Sequence, residues 1–251
     1  MTDQLRATLA DAGRVLAMEG HGDYVAGHIS VRLPGDSERF LMKPAGIGIE
    51  EMRPDNILTV DIEGNKVDGA MPRHNEVYIH SEVLRSRNDV NCVIHSHPIH
   101  AVAFSSLGKE LVAVGNDGGY FANGRLPIFS ETTDLIISQE RGRAVARCLA
   151  EHPALILRNH GIVATGASIE EAVWTAIKLE KACRAQLLAE SAGGPKLVAK
   201  GEDMEKKRSR GDRPDLHKNA FGYLVRKWRC LCCGEIVPAP HVSAFENTDQ
   251  R

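Results

Sequence analysis

The sequence predicts an α/β fold on three observations. A short apolar run, Val93-Ile94, ends in His95-Ser96-His97-Pro98, and a second, Ala154-Leu155-Ile156-Leu157, ends in Arg158-Asn159-His160-Gly161. Both read as buried strands, apolar at the start and polar at the end. The third is Ser168-Ile169-Glu170-Glu171, a capping box that opens a long helix to about Ala189, closed by Gly193-Gly194-Pro195. With 251 residues the chain can bury a sizeable core, and one α/β domain of about 200 residues with a tail fits that length.

The histidines at the strand ends carry the chemistry. In an extended strand, residues i and i+2 face the same way, so His95 and His97 can aim both imidazoles at one point. Pro98 lacks an N–H and fixes φ near the helical value, which suits the first residue of a helix over Ile99 to Leu107. His160 ends the second strand, and Gly161 allows close backbone approach beside it. A single histidine would more simply be a surface or core residue. Three neutral imidazoles from two strand ends instead leave a fourth position open, the pattern of catalytic zinc. The spacing does not by itself identify the metal.

Composition narrows the function classes. Hydrophobic residues make up 43% and charged residues 25%, with a formal net charge of -2, so no basic excess points to nucleic acid. An aromatic content of 5% also argues against base-stacking platforms. Met1-Thr2-Asp3-Gln4-Leu5 lacks the features of a signal peptide, and no long apolar run suggests a membrane span. A cytoplasmic location is therefore expected. Of six cysteines, Cys92, Cys148 and Cys183 fall in apolar-periodic segments and read as buried small hydrophobes. Cys230-Leu231-Cys232-Cys233 lacks a well-spaced fourth ligand and reads as an accidental or reactive tail rather than a zinc site.

Along the chain, Gln4 to Glu19 places Leu5, Leu9, Ala12, Val15 and Leu16 on one helical face, ended by Gly20 and Gly22. Gly27 to Leu33 alternates like a strand, Pro34-Gly35-Asp36 turns, and Phe40 to Lys43 makes a second strand. Ile57 to Asp61 and Lys66 to Asp68 read as a hairpin through Glu63-Gly64-Asn65. Asn75 to Arg87 is helical by period, with Glu76 in the first turn, where the dipole favours a carboxylate. Spacing alone leaves Glu76 open between a solvated acid and a functional one. His80 shares its face at i+4 and reads as a packing or hydrogen-bonding residue. Leu111 to Val114 is expected as a short strand and Gly115 to Tyr120 as a glycine-rich loop without the spacing of a nucleotide motif. Pro127 to Phe129 reads as extended and Asp134 to Ala150 as helical. Lys200 to Asp215 is dense in mixed charge and reads as a solvated linker, followed by a short amphipathic segment, Asn219 to Trp228.

Taken together, these segments resemble the class II aldolase and adducin-head family. The matching pieces are Gly27-His28-Ile29-Ser30-Val31-Arg32, Lys43-Pro44-Ala45-Gly46-Ile47, Glu76, His95-Ser96-His97-Pro98 and Asn159-His160-Gly161-Ile162. The resemblance implies a three-layer sandwich, a central mostly antiparallel sheet with helices on both faces. It places the catalytic domain at residues 1–199 and a charged linker and tail at 200–251. It also implies a homotetramer with active sites between subunits. Carried over by position, His95, His97 and His160 would hold a divalent ion, zinc first, with manganese, cobalt, iron or magnesium as alternatives. Glu76 would be the acid/base.

Retro-aldol cleavage and decarboxylation both leave an enolate that such an ion stabilises, with Glu76 moving the proton. The family's sugar-phosphate aldolases carry an asparagine, a Thr-Gly loop and a serine pair where this chain has His28, Ala45-Gly46 and Arg73-His74-Asn75. The exchange suits a planar carboxylate and resembles the family's decarboxylases of hydroxylated aromatic dicarboxylates. His28, Gly46, Arg73 and His74 are thus the expected substrate-binding residues, with Tyr223 as a tail tyrosine reaching a neighbouring subunit. The expected function is a metal-dependent carbon-carbon lyase that decarboxylates a small hydroxylated carboxylate. The alternatives are an aldolase acting on a hydroxy-carbonyl or sugar phosphate, and an adducin-like interaction domain without chemistry.

Overall fold

The computed structural model describes residues 2–234, so residues 235–251 of the expected tail lie outside the described residues. One eight-stranded sheet runs through it: β1 (His28–Arg32), β2 (Arg39–Met42), β3 (Leu58–Asp61), β4 (Lys66–Asp68), β5 (Cys92–Ser96), β6 (Ile128–Phe129), β7 (Ala154–Leu157) and β8 (Gly161–Gly166). Their spatial order is β4-β3-β2-β1-β5-β8-β7-β6. All neighbours are antiparallel except β6 and β7.

Helices cover both faces, because the central strands are apolar on both sides. On β5, Cys92 and Ile94 join one core and Val93 the other. The first core packs under α1 (Thr2–Leu16), α3 (Ile99–Ser105), α4 (Gly115–Phe121), α6 (Ile169–Ser191) and α8 (Pro214–Cys233). The second packs under α2 (Val77–Ser86) and α5 (Gln139–Leu149). The three-layer, mostly antiparallel architecture is therefore the one expected. Central register sets the site: β1 pairs with β5 so that His28 lies opposite His95, and β5 pairs with β8 so that Ser96 lies opposite Ile162.

Several local expectations need correcting. Gly115 to Phe121 is helix α4 rather than a loop. Four of its residues are buried against the body, so tertiary packing outweighs the poor helix propensity of its glycines. Leu111 to Val114 is not a strand; it lies beside α6, where the Val112 N–H donates to Gln186 Oε1 at 2.8 Å. The charged stretch expected as a linker forms α7 (Gly201–Gly211). Met204 buries against Ala113 and Ala122, and Glu202–Lys206 and Glu205–Arg208 pair along the helix. One buried methionine leaves no apolar period to read. Residues 134–138 are not helical; the helix starts after Ser138, whose Oγ accepts from the Arg141 N–H at 3.3 Å. Pro98 caps α3 from outside, with ψ 132°, and Glu76 is the N-cap of α2 rather than a first-turn residue. Among the described residues, no helix is long and apolar enough to cross a membrane.

Candidate active site and metal centre

The site forms where the β5 end, the β7–β8 turn and the start of α2 converge. His95 is the last inward residue of β5 and is fully buried, while His97 lies just past the strand end. The turn that delivers His160 depends on Asn159, which adopts φ +53°. Asparagine tolerates the left-handed region better than most residues, and the Asn159 N–H is held by Ser105 Oγ at 2.9 Å. Gly161 follows because nothing larger fits: a Cβ there would stand 2.5 Å from the Ser96 carbonyl oxygen and 2.6 Å from His97 Cδ2. The Asn-His-Gly sequence thus encodes a turn, a ligand and the space the ligand shares.

The tautomers follow from the outer hydrogen bonds. His95 Nδ1–H donates to the Ile162 carbonyl at 2.9 Å, and His97 Nδ1–H donates to Asp23 Oδ2 at 2.9 Å. Each ring therefore turns an unprotonated Nε2 inward, and those two atoms lie 3.1 Å apart. His160 Nε2 is buried and has no hydrogen-bond partner among the described residues. Two nitrogen lone pairs facing each other at that distance, with an unpartnered ring nitrogen of His160 beside them, are unfavourable unless a cation lies among them. Glu76 completes the group: its Oε2 is 3.6 Å from His95 Nε2 and its Oε1 is 3.6 Å from His160 Nε2. Among the described residues, Glu76, His95, His97 and His160 are the group able to hold a metal ion, with ligand atoms all within 4.8 Å of one another. The residues fit a divalent ion by donor type as well as position.

Electrostatics agree with that reading. Burial holds His95 well below the ordinary imidazole range and His160 at about 4, so both are neutral donors of a lone pair at neutral pH. Burial also raises the Glu76 carboxyl, opposed by the Ile136 N–H that donates to Oε1 at 2.8 Å. Oε2 is left without a hydrogen bond among the described residues.

The expected substrate-binding residues divide. His28 stands beside His95, with ring centroids 4.9 Å apart, and His28 Nε2 is 3.9 Å from Glu76 Oε2. The His74 ring is tilted against that of His28, with centroids 4.5 Å apart, and burial holds it at about 4. Gly46 lies in the adjoining loop at φ +85°, with open space on its Cβ side. Arg73 donates to the His74 carbonyl at 2.8 Å and lies over the Tyr78 ring. Tyr223 is on α8, 56% exposed, in the helical layer across the sheet from the face that carries His95. Of the cysteine cluster, Cys230 and Cys232 are exposed.

Sequence reading did not assign roles to Asp23, Ile136 or Lys43. Lys43 is fully buried; its Nζ donates to the Val25 carbonyl at 3.1 Å and to the Pro44 carbonyl at 3.3 Å, and lies 3.2 Å from His74 Nε2. Burial lowers its ammonium to about 8. No local periodicity marks Asp23 or the Ile136 N–H, since both act across more than 50 residues of chain.

Comparison with known proteins places this architecture. The family model for the class II aldolase and adducin N-terminal domain matches residues 7–187. Meiotically up-regulated gene 14 protein of Schizosaccharomyces pombe is 33% identical over 186 residues, 73% of this chain and 72% of its own. A 3,4-dihydroxyphthalate decarboxylase of Arthrobacter keyseri is 31% identical over 221 residues, 84% of this chain and 86% of its own. The structure of an L-fuculose 1-phosphate aldolase from Glaciozyma antarctica superposes with a TM-score of 0.81 at 28% identity, covering 94% of this chain and 92% of its own.

Proposed function

We propose that this chain, which belongs to the class II aldolase and adducin family, is a divalent-metal-dependent carboxy-lyase acting on a small hydroxylated aromatic carboxylate. The observation that carries the reading is the buried Glu76 carboxylate grouped with ring nitrogens of His95, His97 and His160, ligand atoms that all lie within 4.8 Å of one another. His95, His97 and His160 would hold the ion, zinc first by donor set. When bound, it would supply Lewis-acid stabilisation of the negative charge that develops on the substrate as a C–C bond breaks.

The protein's own groups supply the rest. Ile136 fixes Glu76 through Oε1, which leaves Oε2 to take a proton from the substrate's hydroxyl and return it to the carbon whose carboxyl group departs as carbon dioxide. His28, beside this carboxylate, and His74, tilted against the His28 ring, orient the substrate's oxygens. Lys43 supports His74 with a buried positive charge. Arg73 adds a guanidinium at the rim, able to take a carboxylate in two hydrogen bonds once it leaves Tyr78. The 3,4-dihydroxyphthalate decarboxylase similarity supports a dicarboxylated catechol as the first substrate to test.

The active assembly is proposed as a homotetramer with sites between subunits. Exposed apolar side chains next to site residues support this: Tyr24 and Val25 follow Asp23, Ile99 follows Pro98, and Leu135 and Ile137 flank Ile136. Tyr223, exposed and remote from the site of its own chain, is available to a neighbouring copy.

The test is metal content by elemental mass spectrometry, followed by incubation with 3,4-dihydroxyphthalate and, separately, L-fuculose 1-phosphate. About one divalent ion per chain and carbon dioxide from the first substrate is the expected result, and Glu76→Gln should cut turnover about 10²–10⁴-fold. Aldehyde release from the sugar phosphate would favour the aldolase reading, which the fold similarity to an L-fuculose 1-phosphate aldolase supports. A metal-free, inactive chain would favour an interaction domain.

A further inference from the structure

His80 sits one turn after Glu76 on α2, fully buried, and is clasped by two residues of β1 that share a face at i and i+2. Its Nε2 is 2.6 Å from His28 Nδ1 and its Nδ1 is 2.6 Å from Ser30 Oγ. These contacts admit two proton arrangements. In one, Ser30 O–H donates to His80 Nδ1, His80 Nε2–H donates to His28 Nδ1, and His28 Nε2–H points toward Glu76 Oε2, 3.9 Å away. In the other, every donor reverses. Ser30 is then a buried hydroxyl whose hydrogen has no acceptor among the described residues, and His28 turns a lone pair toward a carboxylate. The second arrangement leaves a buried donor unsatisfied and sets two acceptors facing each other, so the first is strongly preferred.

We infer that Ser30 and His80 are positioning residues that lock His28 as a neutral Nε2–H donor aimed at the substrate side of Glu76. Burial keeps His80 neutral, consistent with one shared proton per contact. The relay ends in a serine hydroxyl, which does not surrender its proton near neutral pH. His28 therefore lends a hydrogen bond without delivering the proton, and proton delivery falls to Glu76. The site thereby selects a substrate that presents an acceptor oxygen at this position, such as an ionised carboxylate. The assignment of this role rests on the carboxy-lyase reading, whereas the tautomer does not.

The test is long-range proton–nitrogen NMR on full-length, zinc-supplemented protein labelled with ¹⁵N-histidine, with the His28 signals identified by their loss in His28→Gln. The expected spectrum has Nε2 protonated and Nδ1 unprotonated in more than about nine-tenths of molecules. Ser30→Ala should raise the Nδ1–H form at least about tenfold, since its penalty is removed. His80→Gln, which keeps an N–H near His28 Nδ1, should preserve the native tautomer where His80→Leu does not. A wild-type spectrum with Nδ1 protonated, or no change in a folded Ser30→Ala variant, overturns the inference. The wild-type spectrum alone decides the tautomer if a variant fails to fold. No turnover enters this measurement, so a failed carbon dioxide assay and a failed tautomer assignment are told apart.

Discussion

His95 Nε2 and His97 Nε2 face each other at 3.1 Å, each on a ring whose other nitrogen already donates to an oxygen. Two lone pairs at that distance repel, so the pair is built for a cation. Zinc at about a hundredfold excess over its dissociation constant should raise the thermal midpoint by about 5–10 °C. His97→Ala should keep the fold and lose both the stoichiometric metal and the shift. Differential scanning fluorimetry with and without chelator checks this, and a His97→Ala protein that retains one ion per chain would contradict it.

Asp23 holds the His97 ring through Nδ1 from 74 residues away. Outer carboxylates of this kind orient the imidazole and raise its basicity. Asp23→Ala should weaken metal affinity about 10–100-fold, measured by competition with a chromophoric chelator, with the far-UV circular dichroism unchanged. Equal affinity in the variant would remove Asp23 from the site.

Gly161 separates the two ligand-bearing segments. Adding a methyl group pushes against the Ser96 carbonyl and the His97 ring, which are held by strand pairing and by Asp23 respectively. Gly161→Ala should destabilise the protein by about 1–3 kcal/mol and disturb metal loading together. Denaturant unfolding and metal content measure both, and a neutral effect on each would mean that β5 and β8 move apart freely.

Acid should destabilise the metal-free protein through its buried histidines. His21 is fully buried, bonded to Ser96 Oγ at 2.9 Å, and burial lowers it from 6.5 to about 4. Between those values the unfolded chain binds a proton that the folded one does not, so stability rises with pH across that window. The contribution is complete above about 6.5, falls away toward pH 4, and amounts to on the order of 3 kcal/mol. His80, lowered by burial to about 3, acts in the same direction. Denaturant unfolding at a series of pH values with chelator present should show this slope, reduced in His21→Gln. Constant stability between pH 7 and 5 would refute it.

Local chemistry made much of this protein readable from its sequence. His-x-His at a strand end and a serine cap at the long helix are short-range patterns with one structural meaning, and both appear as read, whereas His160, read as the end of a strand, lies in the turn after Leu157. The helical nature of residues 201–211 was not readable, because a single buried methionine gives no period and charge density imitates a linker. The glycines of α4 pointed to a loop for the same reason: their helix is held by neighbours, not by propensity.

The sequence by itself determined which residue types could bind a metal and move a proton, because ligand spacing on strands is a local property. Only the tertiary structure decided which nitrogens face inward, since tautomers are set by Asp23, Ile162, Ser30 and His80 across the sheet. It likewise decided that Glu76 meets the histidines with one oxygen tied by Ile136. Those relations join segments separated by 50 to 74 positions, and packing brings them together where no sequence pattern can.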